Sequence, residues 1–285
     1  MSERKVKLVL AYDGSRYHGW QRQRVADPDA PGSEPRHALP TVQQELETAL
    51  ARVVHHPVSL RAAGRTDAGV HALGQVANFR TDAPIPDDRL PHALNARLPA
   101  DLRVRHALTV PDCFDAATSA RSKLYRYRVF AHHDLPPAQR NYCYHFWRPY
   151  DPSLLHAAAA RLLGAHDFRS FASAGAQPKE TTVRTLLRCQ VWQQFHWLYF
   201  DLEADGFLYH MVRNIVGTLL EIARRHWPPD KIEEILAARR RSAAGPMAPP
   251  QGLYLMWVKY PGRFDEMPSR IIASDAGLTT ALPPR

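Results

Sequence analysis

Cysteine is scarce in this chain. Three are found among 285 residues, Cys113, Cys143 and Cys189, and no two form a C-x-x-C pair. That spacing excludes a zinc ribbon and a disulfide framework and suits thiols kept in a reducing cytosol. Long apolar runs are also missing. None approaches the roughly 18 residues that a membrane-spanning helix needs. The opening MSERKVKLVLAYD turns polar before the apolar core of a signal peptide develops. The signatures G-x-G-x-x-G, G-x-x-x-x-G-K-[S/T] and H-E-x-x-H are absent, which argues against nucleotide-binding and zinc-protease chemistry. There is no short-period repeat. Acidic residues are outnumbered, 28 Asp and Glu against 37 Lys and Arg, for a net charge of +9. Such a surplus fits a polyanionic partner without identifying one.

What is present supports one large domain or two compact halves, since 45% of the residues are hydrophobic. Residues 5–12 alternate as a strand. Residues 25–40 hold four prolines (28, 31, 35 and 40) and few apolar groups, the pattern of a mobile loop. Thr41 opens a helix, with Gln44 completing a capping box and Leu46, Ala49, Leu50 and Val53 forming an apolar stripe. Strands are expected at 58–63, 74–80 and 102–110. A short helical or irregular stretch is expected at 87–98. In KLYRYRVF, residues 123–130, Tyr125, Tyr127 and Val129 share one face and Leu124, Arg126 and Arg128 the other.

A second half reads similarly. Asp151 and Pro152 are a cap and first-turn pair for a helix. Residues 164–182 read as loop-rich. Residues 183–195 and 196–204 read as paired strands. Residues 206–226 form a long helix, with Leu208, Met211, Val212, Ile215, Val216 and Leu219 on its apolar side. A further helix (230–240) and a last strand (252–260) follow. The order predicts an α+β fold of two similar halves, 1–115 and 116–262, with a loose tail over 263–285.

The segment GRTDAGVHALGQV, residues 64–76, holds the most pointed chemistry. In an extended chain, residues i and i+2 face the same side, so Arg65 and Asp67 could pair across Thr66. The guanidinium would favour the ionised carboxylate. Gly64 and Gly69 would let the backbone turn sharply and a bulky ligand come close. That suits a nucleophile, but Thr-Asp-Ala-Gly is equally an ordinary turn. Tyr125 could stack on a base while the arginines of its strand hold phosphates, or it could be core. Arg213 lies in an apolar helix and either snorkels to the surface or pairs with an anion at a site. His71 reads as structural, or as a support lying behind the residues that act, since no partner shows metal-ligand spacing. The arginine groups 224–225 and 239–241 are solvated faces or phosphate contacts.

Seven segments, in order, resemble the bacterial tRNA pseudouridine synthase A family. They are YDGSRYHGWQRQ (12–23), TVQQELETAL (41–50), GRTDAGVHALGQVANF (64–79), KLYRYRVF (123–130), LLGAHDFRSF (162–171), GFLYHMVRNIVGTL (206–219) and GLYLMWVKYP (252–261). The resemblance covers roughly residues 5–262. It implies the pseudouridine synthase fold: two similar α/β-sandwich halves around a central, mainly antiparallel sheet, with a cleft between them. It also implies isomerisation of uridine to pseudouridine at positions 38, 39 and 40 of the tRNA anticodon stem-loop. The implied protein is a cytoplasmic homodimer that binds tRNA, with no membrane association, cofactor or metal.

The same resemblance assigns roles. Asp67 matches the catalytic aspartate, and Arg65 an arginine that helps flip the nucleotide and pairs with that aspartate. Tyr125 matches the tyrosine that stacks on the target base, and Arg213 the basic residue that pairs with the aspartate. Departures from the family pattern are Ala117 where an arginine is often found, Met247 in place of threonine, and a longer proline-rich loop at 25–40. Two other readings compete. A glycoside-cleaving enzyme acting on a small nucleoside would need a second carboxylate, which is not evident. A non-catalytic RNA-binding module would keep the arginines and Tyr125 but have no use for Asp67.

Overall fold

A computed structural model describes residues 3–22, 40–175 and 181–264. The expected mobile loop at 25–40, except Pro40, and nearly all of the expected tail lie outside the described residues. The chain forms two compact units, one of residues up to 121 together with those from 257 onward, the other of residues 122–256.

The first unit contains β1 (Arg4–Tyr12), α1 (Val42–Val54), β2 (Arg61–Ala62), β3 (His71–Thr81), α2 (Leu90–Asn95) and β4 (Leu102–Val110). Strand β1 runs antiparallel to both β3 and β4, and β2 is a short antiparallel partner of β3. Helix α1 starts as its capping signal demands: the Thr41 hydroxyl accepts from the Gln44 N–H at 3.3 Å. Its stripe of Leu46, Ala49, Leu50 and Val53 is buried. The strand expected over 58–63 is only two residues long, whereas β3 begins three residues earlier than expected, at His71.

The second unit contains β5 (Ser122–Phe130), β6 (Tyr144–His145), α3 (Pro152–Ala160), β7 (Gly164–Asp167), β8 (Val183–Gln194), β9 (Trp197–Ala204), α4 (Met211–Ala223) and α5 (Lys231–Ala238). The last strand, β10 (Leu253–Lys259), starts in this unit and ends in the first. Strands β5–β9, β9–β8 and β8–β7 pair antiparallel, and β5–β6 is parallel. The Asp151 carboxylate caps α3 by accepting from the Ser153 N–H, with Pro152 in the first turn.

Two expectations change here. The stretch from 164 is not only loop: β7 is followed by a 3-10 turn, Phe168–Phe171, capped by Asp167. Four residues are too few for alternation to show. Helix α4 starts at Met211 rather than near 206, because His210 takes a left-handed φ of 62°. Met211 through Leu220 are all buried, so α4 is enclosed rather than one-sided.

Candidate active site

The segment around Asp67 is held from beneath by its neighbours in the first unit. Residues 67–70 form a turn closed by the Val70 N–H donating to the Asp67 carbonyl at 3.2 Å, with Gly69 at φ 77°. That φ is the one a glycine tolerates without strain. Thr66 points inward, only 6% exposed, and its hydroxyl meets the Tyr12 hydroxyl at 2.8 Å. Arg65 is exposed and Asp67 half-buried, so both lie away from the side that Thr66 packs on.

The turn is gripped by residues 14–20. The Trp20 N–H donates to the Thr66 carbonyl at 3.0 Å, and the Gly69 N–H to the Tyr17 carbonyl at 3.4 Å. A Cβ on Gly19, which sits at φ 83°, would come within 2.7 Å of the Thr66 carbonyl oxygen. A Cβ on Gly14 would meet the Val70 carbonyl oxygen at 2.1 Å. These glycines therefore let two backbone segments touch, which bulkier residues would prevent. Tyr17 and Arg16 both donate to the Asp101 carboxylate, at 2.7 and 2.6 Å.

The expected pairing of Arg65 with Asp67 is not formed among the described residues. Arg65 is exposed, and an exposed guanidinium gains little from a surface ion pair. His71 is structural, as expected. It is buried, and its Nδ1 accepts from the Gly14 N–H at 3.0 Å. The same nitrogen lies 3.2 Å from Asp13 Oδ1.

In the second unit, Tyr125 sits on β5, 8% exposed, with its ring edge-on to Phe207 at 5.1 Å between centroids. Arg213 does not snorkel. It is buried in the third residue of α4, and its Nε–H donates to the Ala248 carbonyl at 2.8 Å. Tyr127 is core, and its hydroxyl donates to the Pro249 carbonyl at 2.6 Å. Burial pushes the Tyr127 phenol far up, with Arg213 pulling the other way.

The arginines of β5 are turned into the unit. Arg126 is buried and donates two parallel hydrogen bonds to Asp201, at 2.7 and 2.8 Å, below the Trp192 ring. Arg128 is buried over Trp197 and donates to the Tyr254 hydroxyl at 3.3 Å. Their positive charge is matched or covered inside the unit, so neither is presented to a polyanion. Sequence reading also passed over Phe207, Tyr12 and Gln75. All three lie within the quoted segments, but nothing in their spacing shows which groups they meet.

These features are a half-exposed aspartate on a glycine-gripped turn, a tyrosine set edge-on to a second ring, and a buried helical arginine. Each is carried on an α+β scaffold. The comparisons give them a family. Residues 8–117 and 158–261 match the tRNA pseudouridine synthase family. The chain is 48% identical to a tRNA pseudouridine synthase A of Moorella thermoacetica, over 90% of this chain and 99% of that protein. It is 41% identical to a protein of the same name from Salmonella paratyphi B, over 92% of each. The chain belongs to the tRNA pseudouridine synthase family.

Proposed function

We propose that this protein isomerises uridine to pseudouridine in tRNA, at positions 38, 39 and 40 of the anticodon stem-loop. The reaction breaks the N1–C1′ bond, turns the uracil and joins C5 to C1′. The hydrogen on C5 leaves as a proton and N1 gains one, so no electrons are exchanged and no cofactor is consumed. Asp67 is the catalytic carboxylate, acting either on C1′ as a nucleophile or on a substrate proton as a base. Arg65 helps bring the nucleotide out of the stem, and its exposure lets it reach a phosphate. Tyr125 stacks on the base, which returns about 1–3 kcal/mol against an unstacking cost of a few kcal/mol. Arg213 is the further substrate-binding cation. The protein acts as a homodimer in the cytoplasm, where its substrate is found.

The observation that carries this reading is Asp67 on its turn, where neighbouring backbone and two tight glycines fix the chain and leave the residue half-buried. The test is tritium release from tRNA labelled at uracil C5, with wild type and Asp67→Asn. Release by wild type alone, with tRNA still bound by the variant, is the expected result. Binding without release by either protein would turn the reading to a non-catalytic RNA-binding module.

A further inference from the structure

Gln75 is fully buried on β3, and its side chain is committed to the Asp67 segment. One N–H of Nε2 donates to the Gly64 carbonyl at 2.8 Å. The same nitrogen reaches the Tyr12 hydroxyl at 3.5 Å. Its Oε1 accepts from the Val76 N–H at 3.1 Å, which fixes the amide's orientation. Tyr12, 4% exposed at the end of β1, then meets the Thr66 hydroxyl at 2.8 Å. A 3.5 Å contact is at the outer limit of a hydrogen bond. The two short contacts, Gln75 to Gly64 and Tyr12 to Thr66, therefore carry the anchoring.

The result is a brace on both sides of Arg65 and immediately before Asp67. Thr66 is also held through its carbonyl by Trp20. With Thr66 pinned at both its hydroxyl and its carbonyl, the direction in which the next side chain leaves the backbone is set. Burial pushes the Tyr12 phenol up to about 12, so it stays a neutral hydrogen-bonding group at physiological pH rather than an acid or base.

We infer that Tyr12 is a positioning residue for Asp67, acting through the Thr66 hydroxyl, with Gln75 bracing Gly64. The inference rests on Asp67 being the catalytic carboxylate. The test separates positioning of Asp67 from support of the fold.

The experiment compares wild type, Tyr12→Phe, Thr66→Val, Thr66→Ser and Asp67→Asn on C5-tritiated tRNA. It reads the single-turnover rate, tRNA affinity and thermal midpoint of each. Tyr12→Phe and Thr66→Val are expected to slow the single-turnover step by about 10- to 100-fold, the scale of a small misplacement of a reacting group. Affinity for tRNA is expected to stay within about twofold, the size of change that leaves ground-state binding intact. Thr66→Ser, which keeps the hydroxyl, restores the rate. An unchanged rate in Tyr12→Phe and Thr66→Val overturns the inference. So does a loss of rate that follows the thermal midpoint and is not recovered by Thr66→Ser. Activity retained by Asp67→Asn would instead overturn the assignment of Asp67, so the two failures are distinguishable.

Discussion

Arg213 and Ala248 exchange two hydrogen bonds. The Ala248 N–H donates to the Arg213 carbonyl at 3.1 Å, and the Arg213 Nε–H donates to the Ala248 carbonyl at 2.8 Å. The arginine is thus held at backbone and side chain by one residue of the segment between α5 and β10. Around this pair the segment lies directly on α4: the Gly245 N–H donates to the Thr218 hydroxyl at 2.9 Å.

Gly217 is what permits that approach. A Cβ there would stand 1.7 Å from the Pro246 carbonyl oxygen, a backbone atom that cannot swing aside. Gly217→Ala is expected to destabilise the protein by roughly 1–3 kcal/mol, the usual range for overpacking, and to slow tritium release because Ala248 moves with Pro246. Urea unfolding and the release assay check this together. A wild-type midpoint would mean that the segment lifts off α4 without cost.

Stability toward acid should depend on Asp87. Burial pushes this carboxyl up, but the Thr109 N–H and hydroxyl and the Arg4 guanidinium outweigh burial and hold it below the usual carboxylate range. A carboxyl depressed in the folded state binds fewer protons there than in the unfolded chain. Its contribution is complete above about pH 4, the unfolded value, and is lost as pH falls through the lower folded value. Between pH 6 and pH 3 the urea midpoint of wild type is expected to fall further than that of Asp87→Asn. Parallel curves would show that Asp87 is not linked to folding.

Local signals were the legible part of this fold. Thr41 with Gln44, and Asp151 with Pro152, announce helix starts because capping acts within three residues. The alternation over 123–130 announces a strand, and one forms there, but both of its faces are enclosed: Leu124, Arg126 and Arg128 are buried along with Tyr125, Tyr127 and Val129. Alternation names the faces of a strand but not what covers them, and so Arg126 and Arg128 could be read as phosphate contacts. Their partners Asp201 and Tyr254 lie 75 and 126 residues away. The same holds at Asp67. The glycine-bracketed turn could be read directly, but Tyr12 meets Thr66 across 54 residues. The carbonyl of Ala248 has no signature in any sequence, since every residue carries one.

Thiol reactivity should be confined to one position. Burial pushes the Cys143 thiol up to about 11, partly offset by Arg128, and pushes Cys189 up to about 12. Only the thiolate attacks an alkylating agent, so both are expected to react far more slowly than an ordinary thiol near pH 8, although Cys189 is half-buried and Cys143 buried. Cys113 is exposed. Iodoacetamide is expected to modify Cys113 alone in the native protein and all three cysteines in urea, as read by mass spectrometry. Native labelling of Cys189 at the rate of Cys113 would show that β8 opens readily.

The Arg126–Asp201 pair makes the sharpest distinction between a charge that supports the fold and one that meets RNA. Asp201 is fully buried, and beyond its two bonds from Arg126 it accepts from the Trp192 indole N–H at 3.4 Å. Asp201→Ala leaves a guanidinium buried without its counter-charge, which costs about 3–5 kcal/mol. Replacing both partners together, as Arg126→Met with Asp201→Leu, removes the unpaired charge and is expected to recover most of that loss. The double variant should also bind tRNA with an unchanged dependence on salt. Loss of an arginine that touched a phosphate would lower that slope by about 1. Urea unfolding of the single and double variants, with tRNA binding measured between low and moderate salt, decides the matter. A reduced slope in a folded double variant would return Arg126 to the RNA-binding surface.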